Sequence, residues 1–167
     1  MSDTSERLES MYRRGPLRVH PDNPRYFTDD SGEAILLAGA QTWANLQERR
    51  AAETPVFDYQ AWLDFLVNLN LNFMRMWVWE HPYGMQFTER EVRYWPQWYA
   101  RTGPGVARDG MPKFDLARLD DYLLARLRNR VVAAEKMGIY VAVMLFQGFS
   151  VYKSTVRGPG RNPFEFH

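Results

Sequence analysis

Between Leu71 and Glu80 the chain reads Leu-Asn-Phe-Met-Arg-Met-Trp-Val-Trp-Glu, an apolar run of strand length with an arginine in its middle and a carboxylate at its end. Strand alternation puts Phe73, Arg75, Trp77 and, at the end of the run, Trp79 on one face, and Met74, Met76 and Val78 on the other. Two amphipathic patterns lie on either side. Tyr59, Trp62, Leu63, Leu66 and Leu69 recur at helical spacing behind Asp58, a good N-cap, and Asn68 to Asn70 can end that helix. Leu116, Leu119, Leu123, Leu127, Val131 and Ala134 recur in the same way behind Asp115, up to Gly138. Ile35 to Gly39 reads as a first buried strand, and Ile139 to Phe146 as a strand covered on both faces. Leu17 to Val19 and Arg25 to Thr28 flank a Pro-Asp-Asn-Pro turn and predict a hairpin.

The resulting order is hairpin, strand, helix, strand, helix, strand, which predicts an α/β fold with parallel strands joined by crossovers. Either an open sheet or part of an α/β barrel satisfies it. Each strand turns polar or aromatic at its carboxyl end, at Gln41-Thr42-Trp43, Trp79-Glu80 and Gln147-Gly148. That, with a charged Arg75 next to Trp77, favours the barrel, whose chemistry sits on the loops after the strands. In an enclosed interior Arg75 would need a partner, because desolvating an unpaired guanidinium is costly. His81 to Lys113, rich in Gly, Pro and aromatic residues, reads as a long loop, and such loops are uncommon unless functional. Residues 1–15 read as a flexible lead, and residues 16–167 as one domain portion.

Composition and the chain's apolar runs change the picture in four ways. A formal net charge of +1, with no basic stripe, argues against nucleic acid as a partner. The absence of cysteine excludes disulfides and thiolate metal sites. The start lacks the apolar core of a signal peptide and no apolar run reaches membrane-spanning length, so the chain as written is expected to be cytoplasmic and off the membrane, with secretion of a longer form left open. Aromatics at 15%, six of them Trp, exceed what the periodic segments can absorb and point to a contact surface.

Arg25-Tyr26-Phe27-Thr28-Asp29, Gln41-Thr42-Trp43, Asn72 to Glu80 and Gly138 to Phe146 together resemble the first three β/α units of cellulase-like glycoside hydrolases of clan A, from about Leu17 onward. The Asn-x-x-Arg-x-Trp portion is the most specific part. The resemblance implies a TIM-type (β/α)8 barrel, incomplete in this chain because such a barrel needs at least about 200 residues. It implies a retaining glycosidase acting on O-glycosidic bonds of an oligo- or polysaccharide, without cofactor or metal. It also gives Arg75 the role of positioning the nucleophilic carboxylate, and places both catalytic carboxylates beyond His167. The 167-residue chain is then expected to be inactive and, through an open strand edge, to self-associate. The alternative is a non-catalytic carbohydrate-binding or scaffolding α/β domain.

The substrate-binding candidates are Trp43, Trp79, Glu80, Gln41 and Gln147, because a pyranose offers a C–H face to an indole and hydroxyls to polar neighbours. Glu80 is the one carboxylate at a strand's carboxyl end, and the resemblance reduces it from an acid/base candidate to a hydroxyl acceptor or an orienting residue, with an exposed loop acid as the alternative. Asn45 is a further hydroxyl partner, whereas Trp95 and Trp98 read as packing residues and Trp62 as core. Glu80-His81 does not make a metal site, since adjacent strand residues point to opposite faces. Gly103-Pro104-Gly105 reads as a turn.

Overall fold

In the computed structural model, residues 15–50, 55–80, 93–107 and 110–146 are described. Strands β1 (Arg18–Val19) and β2 (Phe27–Thr28) form the expected hairpin. Its turn is closed by His20, whose Nδ1 accepts the backbone N–H groups of Asp22 and Asn23, both at 3.2 Å. After β3 (Gly39–Gln41) and β4 (Glu48–Arg50) comes helix α1 (Tyr59–Asn68), then β5 (Phe73–Trp77), β6 (Arg93–Trp95), β7 (Tyr99–Val106), β8 (Pro112–Leu119), helix α2 (Asp121–Glu135) and β9 (Tyr140–Met144).

Helix α1 starts and stops where its sequence dictates. The Asp58 carboxylate accepts the N–H of Ala61 at 2.9 Å. At the other end Asn70 takes φ +54°, Leu71 N–H reaches Leu66 C=O and Asn70 N–H reaches Val67 C=O, both at 2.9 Å, which is a Schellman closure. Leu63 and Leu66 are its fully buried residues. They join Met74, Met76 and Val78, the apolar face of β5 and its extension, and Leu46, Trp98, Leu123, Ala134 and Ile139 in one core.

The barrel expectation is corrected. The described residues form four small separate sheets and two helices: a three-stranded sheet in the order β3-β5-β9, and three two-stranded pairs, β1-β2, β4-β6 and β7-β8. The three main strands are parallel, with Gln41 beside Arg75 and Arg75 beside Ala142, but three successive β/α units of a barrel are not evident among the described residues. The reason lies in segments that the sequence pattern assigns to loops. Residues after β3 return as β4 to pair antiparallel with β6, and the long Gly/Pro-rich stretch builds β6, β7 and part of β8. Backbone pairing inside those insertions satisfies polar groups that would otherwise face water.

The first main strand is Gly39–Gln41 rather than Ile35 to Gly39; Ile35 makes only an isolated bridge to Phe27, and Leu36 is 75% exposed. The second helix begins after Asp120, whose carboxylate accepts Leu123 N–H at 2.9 Å. Asp115 instead closes a local turn onto Ala117 N–H, and Leu116 and Leu119 belong to β8. Gly103-Pro104-Gly105 lies inside β7, in a two-stranded ribbon with shifted register where proline is tolerated. Strand β9 is half-buried throughout, and Leu145 and Phe146 beyond it are exposed, so it is not covered on both faces.

Asn72, the first residue of the arginine motif, has a structural task. Its side chain accepts Ala38 N–H at 2.9 Å and donates to Leu36 C=O at 3.0 Å, setting the chain alongside β5 before β3 begins. Tyr140, in register with Phe73, donates its O–H to buried Asp29 at 2.6 Å and ties the β1-β2 hairpin to β9.

Candidate functional site

Strand β5 presents Met74 and Met76 to the core and Phe73, Arg75 and Trp77 to the other side, as alternation requires. That second side is the more open of the two among the described residues, with Phe73 and Trp77 half-buried on either side of Arg75. Arg75 is exposed and its guanidinium forms no ion pair among the described residues. The expectation of a buried, partnered arginine is therefore corrected: only one face of the sheet packs against helices, so the desolvation cost that demanded a partner does not arise. Gln41, its neighbour on β3, is exposed too, and its Oε1 accepts the Trp77 indole N–H at 3.4 Å.

Beyond the last paired residue of β5 the aromatic groups converge. Trp79 is 9% exposed; its indole N–H donates to Trp43 C=O at 2.8 Å, and its ring meets Trp43 edge-on at 6.0 Å. It stacks on Tyr94 at 4.9 Å and on half-buried Trp77 at 6.0 Å. Arg49 lies 5.6 Å above the half-buried Trp43 ring. Of the two tryptophans expected to bind substrate, Trp79 is thus an interior member of the stack and Trp43 is partly accessible, while Trp77 faces the open side. Trp98 is core, and Trp95 packs against Tyr122 at 5.2 Å.

Glu80 is neither an open hydroxyl acceptor nor an exposed loop acid. It is 6% exposed and accepts a hydrogen bond from the Tyr99 hydroxyl. Asn45 is fully buried, its Nδ2 donating to Arg75 C=O at 2.5 Å while its Oδ1 has no partner, so it holds the strand instead of meeting a ligand. Gln147 lies outside the described residues. No cluster of three or more possible metal ligands occurs among the described residues, and no helix there is long and apolar enough to cross a membrane.

Asn45, read from the sequence as a hydroxyl partner, and residues that the sequence reading missed hold this end of the sheet together. Asn45, Leu46, Gln47 and Glu48 are buried in succession. Glu48 accepts Phe57 N–H at 2.9 Å and pairs with Arg126 and, at 3.5 Å, with Arg130. Arg126 Nε donates to Leu46 C=O at 2.7 Å, and Arg130 donates to Asn45 C=O and sits 4.6 Å above the Tyr59 ring. Burial, and then the charge of Arg126, push the Arg130 pKa down to about 10, against the pull of Glu48, Tyr59 and Tyr122. A signal was present: Arg130 falls on the same stripe of α2 as Leu123, Leu127 and Ala134, and a charge on an apolar stripe requires a buried partner.

Burial also raises the pKa of three tyrosines around this end. The Tyr94 phenol is pushed up to about 12 by desolvation, with Arg49 opposing. Tyr59 is raised by burial against Arg130, and Tyr99 by burial and then by Glu80. Burial disfavours the phenolate, so the folded chain holds these protons past the ordinary range. A spectrophotometric alkaline titration is expected to show a late-ionising fraction of tyrosine that merges with the rest in concentrated urea; one uniform step in the folded protein would contradict this packing.

Comparison with protein-family models, with curated proteins and with solved structures finds no match.

Proposed function

We propose that the open face of the β3-β5-β9 sheet binds carbohydrate, and that the chain supplies this face to a retaining glycoside hydrolase acting on O-glycosidic bonds. The observation that carries the reading is the placement of Gln41 and Arg75 side by side next to Trp77, on a side of the sheet left open to solvent. An indole can take the C–H face of a pyranose, an amide its hydroxyls, and a guanidinium fork a carboxylate. The resemblance of Asn72 to Glu80 to the arginine strand of cellulase-like hydrolases supports the enzymatic form of the reading.

A retaining mechanism needs two carboxyl groups about 5 to 5.5 Å apart, one giving a proton to the leaving oxygen and one attacking the anomeric carbon. In this reading Arg75 keeps the attacking carboxylate ionised and placed, and residues other than the described ones supply both carboxyls. A non-catalytic carbohydrate-binding domain is the second reading. It is favoured by Glu80, the carboxylate at the end of the β5 segment, being buried against Tyr99 rather than turned to the open face.

Titration calorimetry with a panel of neutral and acidic oligosaccharides tests the binding. Trp77→Ala is expected to weaken the best ligand about tenfold through loss of ring contact. In a form of the protein that hydrolyses its ligand, Arg75→Met should cut turnover about 10- to 100-fold with little change in affinity, and Arg75→Lys should restore little. No binding by the unmodified protein would sink both readings; binding with turnover indifferent to Arg75→Met would leave only the second.

A further inference from the structure

At Trp79 the β5 segment has outrun its neighbours. The last registered pair is Trp77 with Met144, and Val78 N–H still reaches Met144 C=O at 3.1 Å. One residue further, a side chain takes the part of a strand. The Gln47 Oε1 accepts Trp79 N–H at 2.6 Å and its Nε2 donates to Trp79 C=O at 3.0 Å, the two-way exchange that a paired strand residue makes. The same Nε2 donates to Pro96 C=O at 2.7 Å. With one acceptor bond and both amide hydrogens used, Gln47 is satisfied at 0% exposure and joins three segments distant in sequence.

Trp79 is in turn the ring on which Trp77, Trp43 and Tyr94 meet. We propose that Gln47 is a positioning residue for sugar binding: by clamping both backbone polar groups of Trp79 it fixes the indole stack that presents Trp77 to the ligand. The inference rests on the carbohydrate reading of this face. It assigns Gln47 no contact with sugar. Its effect is preorganisation, so that the ordering of the aromatic stack is complete before a ligand arrives.

Gln47→Met, nearly equal in length and without the amide, is the decisive variant. Close aromatic pairs give an exciton couplet in the far-ultraviolet circular dichroism spectrum, and this couplet should collapse in Gln47→Met while the helical signal stays. Affinity for the best oligosaccharide should fall about tenfold. Trp79→Phe, which keeps the backbone bonds to Gln47 but removes the indole, serves as the reference for a lost couplet. A residue that only contributed packing would lower the melting temperature and leave couplet and affinity intact below the transition, and that result overturns the proposal. Should Gln47→Met fail to fold, hydrogen exchange in the unmodified protein decides: the Trp79 amide is expected to be protected like those of β5, and exchange at the rate of an exposed amide overturns the clamp. An unmodified protein that binds no oligosaccharide refutes the carbohydrate reading, while the couplet and exchange measurements still decide whether Gln47 holds Trp79.

Discussion

Gly39→Ala is expected to destabilise the protein by about 3 kcal/mol or more. A Cβ at this position falls 2.0 Å from the Phe73 carbonyl oxygen and 2.6 Å from its carbon. Both are backbone atoms of the strand paired with Gly39, so no rotamer change relieves the overlap and β3 must separate from β5. Gly32→Ala is the comparison, because its Cβ meets nothing within 4 Å but its φ of +76° strains a side-chain-bearing residue. That strain costs about 1 to 2 kcal/mol. Urea unfolding of the two variants separates the mechanisms, and a Gly39→Ala protein as stable as Gly32→Ala would contradict the close strand approach.

Glu48→Gln should cost about 3 to 5 kcal/mol, since it leaves two guanidinium groups in a buried site without their carboxylate. The substitution preserves volume and can still accept from Phe57 N–H, so the loss reports on Arg126 and Arg130. Adding Arg130→Met to Glu48→Gln should recover part of the stability, because the second change removes one of the two stranded charges. Chemical denaturation of the single and double variants checks both statements. A loss below about 1 kcal/mol for Glu48→Gln would place the cluster in water, where such pairs contribute little.

What could be read from the sequence was what is settled locally. Helix α1 declared itself through Asp58, its apolar stripe and Asn70, because capping and periodicity involve residues only a few positions apart. The two faces of β5 followed from alternation alone. The β7-β8 ribbon did not, since pairing of Tyr99 with Leu119 and of Gly103 with Lys113 depends on partners that local composition does not mark, and Gly-Pro-Gly usually signals a turn. Leu116 and Leu119 have helical spacing and were still taken by a strand, as backbone pairing overrode a short periodic run. The site divided in the same way. Arg75, Trp77 and Gln41 meet through strand register, whereas Gln47 and Glu48 acquire their roles from residues 30 to 80 positions away, such as Trp79 and Arg126. Glu80 was legible as a carboxylate at a strand end, but its burial against Tyr99 depends on the ribbon that the sequence did not reveal.

The row in which Arg75 stands is lopsided. On the β3 side its registered neighbour is Gln41, a long amide whose oxygen is engaged by Trp77; on the β9 side it is Ala142, a single methyl group. The guanidinium therefore lies between a long polar side chain on one flank and a methyl group on the other. Gln41 can share a hydrogen-bonding partner with Arg75, whereas Ala142 has no polar side-chain atom to offer. The polar character of this row thus belongs to β3 and β5 and stops at β9.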